Sequence, residues 1–492
     1  MFNLSKVNAE DYVKVNYKDE TLIEASLNLS PERENKILSV SGMTAGEKVT
    51  VENDVVNYSG KVFFNIVFEG EELERLETGV KFEFKKTEEN AKHAVCLYEL
   101  SDFKTRNENG ALYVSCILTK NLTVFKAADK EVITGADCFV KNEEIALPDR
   151  IFGRQEYDLD DKFEIQKIKK VLQSKVVSVV ERAVCSENVV TAEGFVNISF
   201  VFLPFSENSD ILKETRSVPF KCEISMDGVK EDYRASVFSC VEDFSVKAYL
   251  NDDESRTIVE TAVTLDFTVL AEGFKKYVAV TDAAAAECNL RIVKEETLFE
   301  ETVSQRTVSQ RIFGKCAVKI PEYSRFIKAV GENAYVTQYE ITDGEITFTG
   351  AVEADCIFAG DNGIVSEKSV LPFNITETVT TDKIENVSLN AENLQGRLRS
   401  GNLEQDVNLS VRFTEVKENK LLLVKNLEEG EVINAPRAPI TVYIGKKGET
   451  EWDVIKALKE DASAIYEFNP DLTFPLSGDE RIVILRKKNK SF

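Results

Sequence analysis

The sequence has little of what the common hydrolytic and nucleotide-using enzymes need. Its 492 residues include a single histidine, His93, and no Gly-x-Ser-x-Gly segment, which argues against a Ser-His-Asp hydrolase. It also has no Gly-x-x-x-x-Gly-Lys-Ser/Thr phosphate loop and no calcium loop of the EF-hand type. Acidic pairs are numerous, but 85 Asp and Glu residues make such pairs expected. The sequence therefore predicts no catalytic residue, no metal ligand and no cofactor, and we expect a protein that is not an enzyme.

The cysteines do not have the spacing of metal-binding or redox motifs. The nine cysteines are odd in number, none lies in a Cys-x-x-Cys segment, and several, such as Cys116 and Cys356, lie within alternating apolar segments. This pattern favours reduced thiols buried in a core, and it argues against a zinc site or a disulfide framework. We expect a protein of the reducing cytoplasm.

Positive charge and long apolar runs are also scarce. The net charge is −24, from 61 basic and 85 acidic residues, so the surface is expected to repel nucleic acid and anionic lipid. No run approaches the ~18 apolar residues of a membrane helix. The first six residues have no basic stretch followed by an apolar run, so no secretory signal is predicted.

One β pattern occurs three times. Each copy has a glycine followed by apolar residues at offsets of two, four, six and eight, a spacing that places all four side chains on one face of a strand. The copies are Gly60 with Val62, Phe64, Ile66 and Phe68; Gly194 with Val196, Ile198, Phe200 and Phe202; and Gly350 with Val352, Ala354, Cys356 and Phe358. A module repeated without a shared catalytic group is typical of a structural or docking unit.

Landmarks on both sides of the glycine extend the repeat. Ile37, Ile168 and Ile327 precede the three glycines by 23, 26 and 23 residues, and Phe82, Phe220 and Phe373 follow them by 22, 26 and 23. An alternating pair of strands closes each copy, and Arg-Ile-Phe-Gly segments begin at Arg150 and Arg311. The sequence predicts a mainly β chain of three tandem β-sandwich-like repeats over residues 1–147, 148–300 and 301–432.

The last fifty residues follow a different pattern. After a proline-containing connector, 435–439, the sequence predicts a strand over 440–444, a helix from Glu451 to about Glu460 with Thr450 as its N-cap, a second helix ending at Asn469, and a strand over 481–485. The order βααβ within residues 438–488 predicts a small separate domain.

This C-terminal segment resembles a LysM domain. The resemblance rests on Gly448-Glu449-Thr450 before a helix, on Asn469-Pro470, and on Gly478 before the last apolar strand. The segment departs from the LysM pattern in having glutamate at positions 449 and 451. The resemblance implies a groove, which binds either a protein or an N-acetylglucosamine polymer. The residues expected to form this site are Gly448, Glu449, Thr450, Trp452, Asn469 and Pro470.

Three β repeats followed by one LysM-like domain resemble the spore-coat proteins built from SPOCS domains. The features that carry this resemblance are the run 37–42, the Gly-x-Val strands, the segments 218–220 and 371–373, and residues 278–283. The resemblance implies an assembly factor in the mother cell, at the forespore surface. Its implied partner is the spore-coat morphogenetic ATPase SpoIVA, contacted in part through the LysM domain.

Two functions are consistent with these patterns. The first is a non-enzymatic assembly factor of the spore envelope, with the repeats as scaffold and the LysM-like domain as docking module. The second is a cell-wall protein that binds peptidoglycan, which would require export. A hydrolase with a LysM targeting segment would require a catalytic constellation that the sequence does not contain.

Overall fold

The structure is a computed structural model that describes residues 2–27, 36–70, 72–108, 111–205, 211–320, 324–360, 363–399, 401–433 and 438–486. The expectation of a mainly β protein is confirmed, since the described residues form 22 strands and two short helices. Parts of two predicted features lie outside the described residues: most of the connector before residue 438, and residues 487–488 at the end of the predicted C-terminal domain.

Pairs of three-stranded antiparallel sheets account for most of the chain, and we call each pair a unit. The first unit joins the sheets β3-β4-β5 and β2-β7-β6, and a short ribbon, β1-β8, accompanies it. Its strands are β1 (Leu4–Ala9), β2 (Tyr12–Leu27), β3 (Ile37–Glu52), β4 (Val55–Glu69), β5 (Leu73–Thr87), β6 (Ala91–Glu108), β7 (Ala111–Ala127) and β8 (Lys130–Ala136).

The same strand order occurs in two further units. The second unit joins β10-β11-β12 to β13-β14-β9, and the third joins β16-β17-β18 to β15-β20-β19. The strands are β9 (Phe139–Gln166), β10 (Ile168–Ser186), β11 (Val189–Pro204), β12 (Leu212–Ser225), β13 (Arg234–Leu250), β14 (Arg256–Ala284), β15 (Cys288–Ala317), β16 (Arg325–Thr342), β17 (Glu345–Gly360), β18 (Gly363–Thr378), β19 (Lys383–Arg399) and β20 (Asn402–Val432).

The glycine-led strands β4, β11 and β17 are the central strands of their sheets. All twelve apolar residues at the even offsets are buried, and they form the cores between the two sheets of each unit. Each glycine pairs with a phenylalanine of the neighbouring strand: Gly60 with Phe82, Gly194 with Phe220 and Gly350 with Phe373. The phenylalanine ring lies over the glycine, in the space that a Cβ atom would need.

The three units meet around an apolar centre. The residue at offset seven, on the opposite face of each central strand, is Val67, Val201 or Ile357, and all three are buried in one cluster. Leu38, Leu172 and Val330, from the first strand of each glycine-containing sheet, belong to the same cluster, together with Leu73 and Ile211. The units are therefore joined by a shared core and are not independently packed domains.

Long strands carry the units into a second meeting point. The N-terminal part of β9 pairs with the C-terminal part of β14, and β15 pairs with β20 in the same way. These two ribbons and the ribbon β1-β8 bury a small core that includes Ile133, Val280 and Val424. The three ribbons place the end of β14 beside the C-terminal segment.

The C-terminal segment has the predicted order βααβ. It contains β21 (Ile440–Ile444), α1 (Glu451–Leu458), α2 (Ala462–Phe468) and β22 (Arg481–Leu485), and β21 pairs antiparallel with β22. Val454, Ile465 and Ile482 lie at the centre of its small core. Helix α1 ends two residues before the predicted Glu460, because Lys459 adopts a left-handed conformation (φ +56°) and donates its backbone N–H to the carbonyl of Ile455.

Candidate partner-binding site

The turn before α1 is held by internal hydrogen bonds. Gly448 has a φ of +88°, which favours glycine, and its backbone N–H donates to the carbonyl of Leu476 at 2.8 Å. The carboxylate of Glu449 accepts from the Tyr443 hydroxyl at 2.7 Å and from the Lys446 backbone N–H at 2.8 Å. Burial and the nearby Glu449 raise the pKa of Tyr443 to about 12. The Glu449 carboxylate therefore stabilises the turn from within.

Thr450 begins α1 as the sequence predicts. Its hydroxyl accepts from the backbone N–H of Asp453, and the carboxylate of Asp453 accepts from the backbone N–H of Thr450 at 2.8 Å. Hydrogen bonds from the Thr450 backbone and hydroxyl lower the pKa of Asp453. This capping box satisfies amides that the first helical turn leaves free.

Asn469 joins α2 to the final strand. Its side-chain amide donates to the carbonyls of Ile465 at 2.7 Å and Val483 at 2.8 Å, and its Oδ1 accepts from the backbone N–H of Val483 at 2.9 Å. The neighbouring Pro470 is exposed. Asn469 therefore stabilises the fold through its side chain, whereas Pro470 is accessible to a ligand.

Trp452 faces the second unit. Its indole Nε1 donates to Oδ2 of Asp282, near the end of β14, at 2.8 Å, and Lys456 Nζ lies 2.8 Å from the same oxygen. Burial acts to raise the pKa of Asp282, but the hydrogen bonds from Lys456 and Trp452 outweigh it and the pKa is lowered. Trp452 and Lys456 therefore connect α1 to the ribbon of β9 and β14.

The six residues expected to form a groove have different surroundings. Glu449, Thr450 and Asn469 make hydrogen bonds within the C-terminal segment, Trp452 contacts Asp282, and Gly448 and Pro470 are exposed. The loop after Pro470 connects the Asn469 segment to the turn before α1, because the Leu472 N–H donates to the Asn469 carbonyl at 3.1 Å and the Leu476 N–H donates to the Glu449 carbonyl at 2.9 Å.

An exposed apolar face on β21 was not predicted as part of the site. Ile440, Val442 and Ile444 alternate along the strand and are 61, 56 and 68% exposed, and Leu485 of β22 lies beside Ile440. The alternation is visible in the sequence, but it suggests that these three residues face the core. The small core instead takes Tyr443 from the opposite face, and the Glu449 carboxylate accepts a hydrogen bond from the Tyr443 hydroxyl.

The other side chains that could act as nucleophiles or metal ligands lie mostly in the β units. All nine cysteines are free and six of them are buried, and burial raises the pKa of Cys96, Cys116 and Cys356 to about 12, which disfavours the nucleophilic thiolate. Within the described ranges, His, Cys, Asp and Glu form no group of three that could hold a metal ion. Neither helix among the described residues is long and apolar enough to cross a membrane.

Comparison with known families gives a match in the second unit. Residues 167–248 match the family model described as SipL, SPOCS domain. The matched segment contains β10, β11 and β12 and nearly all of β13, and thus includes the glycine-led strand that begins at Gly194. No curated protein and no solved structure matches the chain.

Proposed function

We propose that this chain is a non-enzymatic assembly protein of the bacterial spore envelope. The observation that carries the proposal is the SPOCS-domain match over residues 167–248. The same strand order before and after this segment supports three copies of one unit, over residues 1–147, 148–300 and 301–432. Strands β9 and β15 run across the two proposed boundaries, so neighbouring units share a continuous strand.

The C-terminal segment, residues 438–488, is proposed to be a LysM-like docking module. Its βααβ order, the Thr450 cap and the Asn469-Pro470 segment support this assignment. Its proposed partner is a coat morphogenetic ATPase of the SpoIVA type, at the forespore surface in the mother cell.

The apolar face of β21 is a second surface on which such a partner could dock. A cluster of exposed aliphatic side chains on a small domain is typical of a protein interface. Because Glu449 and Asn469 are engaged within the fold, we expect Val442 and Ile444 to contribute more to partner affinity than the carboxylate or amide of those two residues. A glycan would instead be expected to use the polar side with Gly448 and Pro470.

Capture of purified SpoIVA on the full-length chain tests the proposal. A chain lacking residues 438–492 is expected to lose capture while keeping the far-ultraviolet circular dichroism of its β units. The double variant Val442→Thr/Ile444→Thr is expected to weaken capture, and Asp471→Ala, an exposed change on the same segment, is expected to leave it unchanged. Full capture by the truncated chain would contradict the docking role.

Peptidoglycan binding is the other function to be tested with the same proteins. Retention of the full-length chain on purified peptidoglycan, lost on removal of residues 438–492, would favour the glycan-binding function. Absence of retention together with capture of SpoIVA would support the assembly function.

A further inference from the structure

A polar cavity of about 280 Å³ lies where the three units meet. Its wall includes Met43 and Leu97 of the first unit, Val177 and Phe238 of the second, and Thr307 of the third. Hydroxyl and amide side chains make up much of the rest of the lining. The cavity is large enough for a small organic ion and is lined by groups that can donate hydrogen bonds.

Arg412 of β20 lines this cavity. Its Nη2 donates to the carbonyl of Val237 and to Oε1 of Gln305, each at 2.7 Å, so two neutral groups hold part of the guanidinium in place. In the part of the chain that the structure describes, Arg412 forms no ion pair, and burial alone lowers its pKa to about 10. A buried guanidinium without a counter-charge is costly, and most buried charges in proteins are paired.

We propose that the cavity beside Arg412 is a binding site for a small oxyanion, a carboxylate or phosphate group of metabolite size. A guanidinium binds such groups through short charge-assisted hydrogen bonds, often through two donors at once. The bound anion would supply the ion-pair partner that Arg412 lacks among the described residues. This site is separate from the docking function proposed above and does not depend on it.

Other groups in the cavity fit an anion. Lys175 is a second basic side chain in the lining; its Nζ donates to the carbonyl of Glu332 at 2.9 Å, and burial lowers its pKa, so a bound anion would favour its charged form. Ser410 lines the cavity two residues before Arg412 on the same face of β20, and its hydroxyl can donate to a ligand while it accepts from Ser309. Glu47 and Glu99 also line the cavity; burial raises the pKa of both, that of Glu47 to about 7, so at pH 6 Glu47 is mostly protonated and repels an anion little.

A second cavity lies beside Arg412, between the second and third units. Its volume is about 450 Å³, and it shares Gln305, Thr307 and Arg412 with the first. Its wall also includes the exposed residues Arg182 and Arg234, together with the acidic Glu181 and Glu231. Both cavities therefore include Arg412, at the contact between β20 of the third unit and Val237 of the second.

Isothermal titration calorimetry of the full-length chain with inorganic phosphate, and separately with malonate, tests the site. Sodium chloride at matched ionic strength is the control for unspecific screening. We expect one saturable site per chain for at least one oxyanion, at pH 6 where Glu47 keeps most of its proton. Arg412→Gln is expected to weaken binding about tenfold or more. Arg311→Gln, at an exposed arginine of β15, is expected to leave it unchanged.

Ser410→Ala keeps the test decisive if Arg412→Gln does not fold. Loss of a neutral donor is expected to weaken binding about two- to tenfold. Absence of saturable binding of both oxyanions to the wild-type chain would overturn the proposal, as would wild-type affinity in a folded Arg412→Gln or Ser410→Ala variant. Binding of phosphate alone would assign the site to phosphate groups, and binding of malonate alone would assign it to carboxylates.

Discussion

Arg150 and Glu272 form a buried ion pair in which Nε of the arginine lies 2.7 Å from Oε1 of the glutamate. The same guanidinium contacts Asp11 through Nη1 at 2.8 Å and donates to the backbone carbonyl of Glu300 through Nη2. The Arg150 side chain is only 2% exposed. Arg150 therefore connects the residue preceding β2, the strands β9 and β14 of the second unit, and β15 of the third.

Replacement of Arg150 by methionine is expected to destabilise the fold strongly. It leaves the buried carboxylates of Asp11 and Glu272 without their shared cation, and breaking a buried pair in this way costs about 3–5 kcal/mol. The midpoint of urea unfolding measures the effect. Arg311→Met is the matched control, because Arg311 begins an identical Arg-Ile-Phe-Gly segment but its side chain is 57% exposed and pairs with Asp406. That change is expected to cost less than about 1 kcal/mol. Equal midpoints for the two variants would contradict the central role of Arg150.

The two Arg-Ile-Phe-Gly segments show a limit of the sequence analysis. They look like equivalent starts of two repeats. However, Arg150 lies near the middle of β9, opposite Glu272 in the strand register, whereas Arg311 lies near the end of β15, opposite Asn408. Identical local sequence specifies the same alternation of side chains. The depth at which each segment lies is set by distant strands, which four residues do not encode.

The central strands were predictable in part. Period-two alternation after each glycine predicts one buried face, and that face is buried in all three units. The apolar residues at offset seven, Val67, Val201 and Ile357, were also visible, but they lie on the face expected to meet solvent. Their burial follows from closure of the three units on each other, a long-range arrangement that strand periodicity does not reveal.

The C-terminal segment was the most predictable part of the chain. Thr450, Asn469 and the strand 481–485 have the structural positions that their local sequence indicates, because caps and short strands depend on neighbouring residues. The contact between Trp452 and Asp282 was not predictable, since 170 residues separate the two partners.

Gly350→Ala is expected to destabilise the third unit. An added Cβ would lie 2.1 Å from the carbonyl oxygen of Tyr335 and 2.6 Å from the ring of Phe373, so the strand or the ring must move. Overpacking of this kind typically costs about 1–3 kcal/mol. Thermal unfolding compares this variant with Gly135→Ala, where the nearest atoms of Ser5 are at an ordinary 3.7 Å. We expect Gly135→Ala to be nearly neutral; a neutral Gly350→Ala would show that both the Tyr335 backbone and the Phe373 ring can move away at little cost.

Asp282→Ala is expected to loosen helix α1 from the ribbon of β9 and β14. The change removes the acceptor for Trp452 and Lys456, and a hydrogen bond to a charged group contributes about 1.5–3 kcal/mol when well shielded. Trp452 is the only tryptophan, so acrylamide quenching of the emission reports on this contact alone. Quenching is expected to increase in Asp282→Ala and to stay at the wild-type level in Asp471→Ala. Because the pKa of Asp282 is lowered, the wild-type contact should persist above the ordinary aspartate pKa of 3.8 and weaken as the pH falls through the lowered value.

Glu47→Gln is expected to change the pH dependence of stability. Burial raises the pKa of Glu47 from 4.5 to about 7, with Asp266 and Glu242 adding to the effect and a hydrogen bond from Thr44 opposing it. Between these two values the folded chain keeps a proton that the unfolded chain releases, so the contribution of Glu47 to stability falls as pH rises from 4.5 to 7. Each pKa unit corresponds to about 1.4 kcal/mol.

Urea unfolding at pH 4 and pH 8, without added phosphate, measures this contribution. Glutamine resembles the protonated carboxyl and does not ionise, so Glu47→Gln should be close to wild type at pH 4. At pH 8 it should be more stable than wild type by up to about 3 kcal/mol. Glu52→Gln, at an exposed position on the same strand, should differ little from wild type at either pH. An equal effect of Glu47→Gln at both pH values would show that the Glu47 carboxylate is solvated in the cavity and that its ionisation carries no penalty.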